Sequence, residues 1–141
     1  MIPSRSPFAK TAAVVAALLF ATGCATTLNV KPATSDERLP SPRFVISNGS
    51  GAEDAPRYDT LEVLDDAGTS VWKVRAQSFG DAPRPAEITY GQTPEGFEVV
   101  TPAVELTRGG RYHLFVSATG PKDGNLHFTI DADGRVQVPP R

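Results

Sequence analysis

The chain has 141 residues with a formal net charge of −2 and a single cysteine. Its length argues for one domain, and one cysteine excludes an intrachain disulfide. Two of the 14 basic residues, Arg5 and Lys10, lie in the first 23 positions, which hold no acid. The other 12 face 16 acidic residues, a net of −4. Those basic residues are scattered without a run or stripe, so nothing builds the field that holds a phosphate backbone. No nucleic-acid partner is expected.

The N-terminal segment reads as an export signal. Met1–Lys10 carries only positive charge, and Thr11–Ala21 (TAAVVAALLFA) follows as an apolar run of eleven residues. A spanning helix needs about 20 such residues. The shorter run behind a positive start fits the apolar core of a signal peptide over 1–23.

Ala21-Thr22-Gly23 then leads into Cys24, the sole cysteine. This stretch resembles the lipobox of bacterial lipoproteins, with Ala21 where Leu is usual and Thr22 where Ala or Ser is usual. The resemblance implies a diacylglyceryl group on the Cys24 thiol, cleavage between Gly23 and Cys24, and acylation of the new amine. Two or more acyl chains hold a protein stably at a bilayer, at about 0.8 kcal/mol per buried CH₂. The membrane is then a partner through the anchor on Cys24. Ala25, where enteric inner-membrane lipoproteins carry Asp, favours the periplasmic face of the outer membrane.

Residues 24–42, with three prolines and many small polar residues after the cysteine, are expected as a flexible tether. At roughly 3 Å per residue it would lift a domain on the order of 50 Å. Docking of Leu28 and Val30 on the domain is the alternative.

From 43 to 141 period-two alternation dominates. Phe44–Ile46 opens. Leu61–Leu64, the turn Asp65-Asp66-Ala67-Gly68 and Ser70–Ala76 form a predicted hairpin, with Trp72, Val74 and Ala76 on one face. Further apolar faces follow in chain order: Ile88/Tyr90, Phe97/Val99, Val104/Leu106, Tyr112/Leu114/Val116/Ala118, Leu126/Phe128/Ile130 and Val136/Val138. Seven to nine short strands predict an all-β domain, a sandwich or small barrel.

Leu106-Thr107-Arg108-Gly109-Gly110-Arg111-Tyr112 resembles the E–F corner of fibronectin-III and immunoglobulin-like sandwiches. There a tyrosine hydroxyl bonds back to the corner backbone. The resemblance implies structural roles for Tyr112 and for Trp72 as a core aromatic. It brings no activity with it, and the immunoglobulin cysteine pair is absent.

Reactive chemistry has few candidates. His113 and His127 fall on adjacent predicted strands, both facing outward. A three-residue loop would set the two histidines opposite each other, whereas a Gly120–Gly124 loop sets His113 opposite Asp131 and His127 opposite Ser117, with the imidazoles roughly 13 Å apart. That is too far to share a metal, and two ligands alone make a weak site. Asp131-Ala132-Asp133-Gly134 lacks the later ligands of a calcium loop and reads as a turn.

Glu53, Asp54, Asp59, Asp65 and Asp66 read as a solvated acidic rim, and Arg43, Arg57, Arg84 and Arg108 as scattered surface charges. Ser47–Gly51 has neither the setting of a nucleophile elbow nor that of a phosphate loop. No cofactor is expected. The sequence therefore predicts a non-enzymatic envelope module that binds a protein or glycan or supports an assembly. The alternative is a small envelope hydrolase or metal-dependent enzyme using His113, His127 and Asp131.

Overall fold

The computed structural model describes residues 27–49, 55–78, 82–118 and 123–140. They form nine strands: β1 (Leu28–Pro32), β2 (Arg43–Asn48), β3 (Thr60–Asp65), β4 (Ser70–Ala76), β5 (Glu87–Thr89), β6 (Phe97–Thr101), β7 (Arg111–Ser117), β8 (Asp123–Ile130) and β9 (Val136–Gln137). They pair into a three-stranded sheet, β1-β2-β5, and a six-stranded sheet, β6-β4-β3-β7-β8-β9. Every pairing is antiparallel. β1, β2 and β5 facing β4, β3, β7 and β8 is the strand order of an immunoglobulin-type sandwich, with β6 and β9 added to the larger sheet.

Alternation sets the inner faces. Phe44 and Ile46 of β2, Leu61 and Val63 of β3, Leu114 and Val116 of β7 and Phe128 and Ile130 of β8 are all buried in one core. Aromatic contacts join the layers: Phe44 meets Phe128 at 5.1 Å, and Trp72 meets Tyr90 edge-on at 5.2 Å. The predicted β3–β4 hairpin forms, with Val63 opposite Trp72 and Leu64 opposite Ser70. Val71 is the extra residue of a bulge there, and it is buried beside Trp72.

Three features depart from the sequence reading. First, the sandwich starts at Leu28 rather than at Arg43. β1 runs antiparallel to β2 from Leu28 opposite Asn48 to Pro32 opposite Phe44. Residues 33–42 then lie on the domain: Leu39 N–H donates to Gly134 O, and Glu37 O accepts from Val136 N–H. Glu37 is buried, taking hydrogen bonds from the Arg43 N–H at 2.8 Å, the Arg43 guanidinium and the Thr34 hydroxyl. The region expected as a spacer is part of the fold because Leu28 reaches the core and Glu37 finds three donors.

Second, Val104 and Leu106 do not form a strand. Pro102 has no N–H to give a ladder, and Val104 N–H donates instead to Val71 O at 2.8 Å. Third, Val99 stands opposite the buried Val74 as Phe97 stands opposite the buried Ala76, yet it is not covered. Val74 pairs with Val99 and Lys73 with Thr101, so Val100 is an extra residue, and at this edge both valines are exposed.

The registers also place the ends. Asn48, Thr60, Ala76, Ser117 and Asp123 lie at one pole with the start of β1. The β3–β4 turn, the corner before Tyr112 and the β8–β9 turn lie at the other.

Candidate functional site

The outward face of the six-stranded sheet carries cross-strand rows of alternating side chains. One row runs Lys73, Glu62, Phe115, Asn125, and the next runs Leu64, His113, His127. Ser117 opposite Asp123 sets this register, so His113 faces His127 directly. The expected pairings of His113 with Asp131 and His127 with Ser117 do not occur. The pairing between β7 and β8 is shifted by four in its residue sum, and sequence alone had no measure of which loop length the connection takes.

The two imidazoles stack, with ring centroids 3.7 Å apart and planes 23° from parallel. Phe115 lies against His113 from the adjoining row at 3.8 Å. His113 Nε2 sits 3.2 Å from Asn125 Oδ1. Partial burial pushes the His113 pKa below its ordinary value; the Asn125 contact opposes this, and charge on His127 adds to it. The half-buried ring therefore favours its neutral form.

Beside this pair a cleft of about 570 Å³ opens between the β3–β4 turn and the start of β7, walled by Asp65, Asp66, Arg111, His113, His127 and Pro139. A second groove, of about 670 Å³, runs between β1 and β8 and shares His127 and Pro139 with the first. Val30, Leu126 and Val138 make its apolar wall.

Among the charged groups that line these depressions, Asp65 is committed to structure. Asp65 Oδ1 accepts from the N–H groups of Ala67 and Thr69, closing the hairpin. Asp131 does the same for the β8–β9 turn, accepting from Asp133 N–H at 2.8 Å, Arg135 N–H at 2.9 Å and the Gln137 amide at 3.0 Å. The Arg135 N–H is the largest influence, and with the other donors it holds this carboxyl below its ordinary pKa despite the opposing effect of desolvation. The structure thus brings His113 and His127 together and leaves Asp131 bound to its own turn. Among the described residues no three His, Cys, Asp or Glu side chains group as a metal set.

Tyr112 and Trp72 are both core residues. The Tyr112 hydroxyl accepts from Thr107 N–H at 2.9 Å, five residues back. A Cβ on Gly110 would fall 2.6 Å from the Tyr112 ring, so the ring can fold over the corner only because residue 110 has no side chain. Trp72 packs on Tyr90, whose hydroxyl lies 2.6 Å from Val104 O. Burial first, then the nearby Tyr112, pushes the Tyr90 hydroxyl up to about 12.

Two clusters were not read from the sequence. Arg84, expected on the surface, is buried with Asp59, expected in a solvated rim. The Arg84 Nη2 is 3.1 Å from Asp59 Oδ1, and each side chain is 8% exposed. Arg84 also donates to Tyr58 O and Ser78 O and lies over the Phe97 ring. Tyr58, buried beside it, donates its hydroxyl to Pro85 O. The second cluster is Glu37 with Arg43. Arg43 and Arg84 are thus each paired with a different buried carboxylate.

Gly23, Cys24, Glu53 and Asp54 lie outside the described residues. No family model matches the chain, and neither does any curated protein or solved structure.

Proposed function

We propose that the chain is a lipid-anchored module of the bacterial cell envelope, held through Cys24 on the periplasmic face of the outer membrane. The sandwich binds an envelope protein or glycan, or supports an assembly there, without catalysing a reaction. The observation that carries the anchor is the sole cysteine standing directly after Ala21-Thr22-Gly23 and the eleven-residue apolar run. The non-enzymatic part is supported by charged side chains tied into turns and ion pairs: Asp65, Asp131, Glu37 with Arg43, and Asp59 with Arg84.

Mass spectrometry of the protein purified from bacterial membranes tests the anchor. A diacylglyceryl thioether on an N-terminal Cys24 is expected, and Cys24→Ser should move the chain to the soluble fraction. A free thiol on the mature chain sinks the reading. Crosslinking in living cells tests the binding role, and repeated recovery of no specific partner argues against it.

One observation favours a second reading, an enzyme or metal site on His113, His127 and Asp131: the two imidazoles touch. Stoichiometric Zn²⁺ binding that is lost in His127→Ala would raise it above the first.

A further inference from the structure

The place where β1 begins decides how an anchored domain meets its membrane. Leu28 is 4% exposed and belongs to the core. Its neighbour Thr27 accepts a hydrogen bond from Gly49 N–H at 2.9 Å. On the other side, a Cβ on Gly124 would lie 2.5 Å from Leu28 O, so the start of β1 is seated in a slot between β2 and β8. The backbone is therefore fixed from Thr27 onward.

Only Ala25 and Thr26 separate that fixed point from Cys24. At 3.3–3.6 Å per residue, three steps of chain reach about 10–11 Å even when fully extended. The polar layer on one side of a bilayer is roughly 5–8 Å thick. A domain attached this way has no room to rise.

From these distances, and resting on the lipid-anchor reading above, we infer that the sandwich sits pole-down on the bilayer. The end formed by Thr27, Gly49, Ser117 and Asp123 lies on the lipid headgroups, and the β3–β4 turn and the tyrosine corner point away. His113 lies four residues along β7 from Ser117, about 13 Å further from the membrane pole. The cleft beside it opens toward the far half of the domain. The surface offered to the lipid is thus set by a short covalent leash, and the outward sheet face stays open to the periplasm.

The anchored protein itself supplies the test. The lipid occupies the Cys24 thiol, so an introduced cysteine is the one free thiol in the chain. Asp123→Cys and Ser117→Cys mark the membrane pole. Asp66→Cys marks the far turn, beside Asp65, which pairs with Tyr112 five residues along β7 from Ser117, about 17 Å. All three positions are exposed.

Each acylated variant is labelled with a fluorophore and placed in phosphatidylethanolamine/phosphatidylglycerol vesicles holding a headgroup-attached quencher. Quenching severalfold stronger at 123 and 117 than at 66 is expected. Equal quenching at the two poles, or stronger quenching at 66, overturns the orientation while the anchor stands. Mass spectra of the same samples report the acyl group separately. An unmodified Cys24 removes the anchor and the orientation together. Melting curves matching the parent chain show that each variant is folded, and the two membrane-pole positions check one another.

Discussion

Arg84 with Asp59 and Arg75 with Glu98 join residues 25 and 23 apart in the chain, but they occupy opposite settings. The Arg75 pair is the shorter, 2.8 Å against 3.1 Å, and it stands on the outward sheet face with its side chains 49% and 47% exposed. The Arg84 pair is covered by Tyr58 and Phe97 at the pole of Thr60 and Ser117, each side chain 8% exposed. Water screens the first pair and must be removed from both members of the second. Distance does not rank them. What ranks them is the solvation that each charge cannot regain when its partner is removed. The Glu37–Arg43 pair stands between, with a buried carboxylate and a guanidinium 45% exposed.

The largest effect should come from Arg84→Met, which leaves the Asp59 carboxylate in its covered site. A loss of about 3–5 kcal/mol in denaturant unfolding is expected. The double variant Arg84→Met/Asp59→Leu should recover most of it, because a well-packed apolar pair leaves no buried carboxylate facing a missing guanidinium. A single variant within about 1 kcal/mol of the parent would break the ranking.

Glu37→Gln should fall between the buried and exposed pairs. Burial raises the Glu37 pKa, but hydrogen bonds from Thr34 and Arg43 outweigh it and leave the carboxyl below its ordinary 4.5. Its contribution is therefore complete above pH 4.5 and is lost as pH falls through the lower folded value. Unfolding curves across that range should show an acid loss that Glu37→Gln reduces.

Arg75→Ala should cost at most about 1 kcal/mol, and less in high salt. A cost equal to that of Arg84→Met would show that solvation is not what separates the pairs.

The smallest effect belongs to the imidazoles. With the His113 pKa held below 6.5 by burial and by His127, its contribution is full above pH 6.5 and declines as pH drops further. His113→Gln should flatten that slope, and an unchanged slope would assign it to other groups.

Much of this architecture was legible, because a strand with one buried face must alternate. Phe44/Ile46, Trp72/Val74 and Leu114/Val116 announced their strands in that way. β1 was legible only as the alternative in which Leu28 and Val30 dock: they are two apolar residues ahead of a proline-bearing stretch, and Val30 meets its partner Ile46 only 16 residues on. Arg84 stands between Pro83 and Pro85 with nothing local to say that Tyr58 and Phe97 will cover it. The histidines were assigned correctly to the outward face, which parity decides. Their pairing was misread, because facing partners depend on the length of a turn that parity cannot measure.

Val100, the extra residue on β6, has one more effect. β6 is the outermost strand on its side, and Val99, Val100 and Val104 show apolar surface there. A straight strand with that composition is a template on which a neighbouring molecule can add its own strand. The bulge breaks the even spacing of hydrogen-bonding groups that such growth copies. This single misfit residue therefore helps keep neighbouring molecules from adding to the sheet edge.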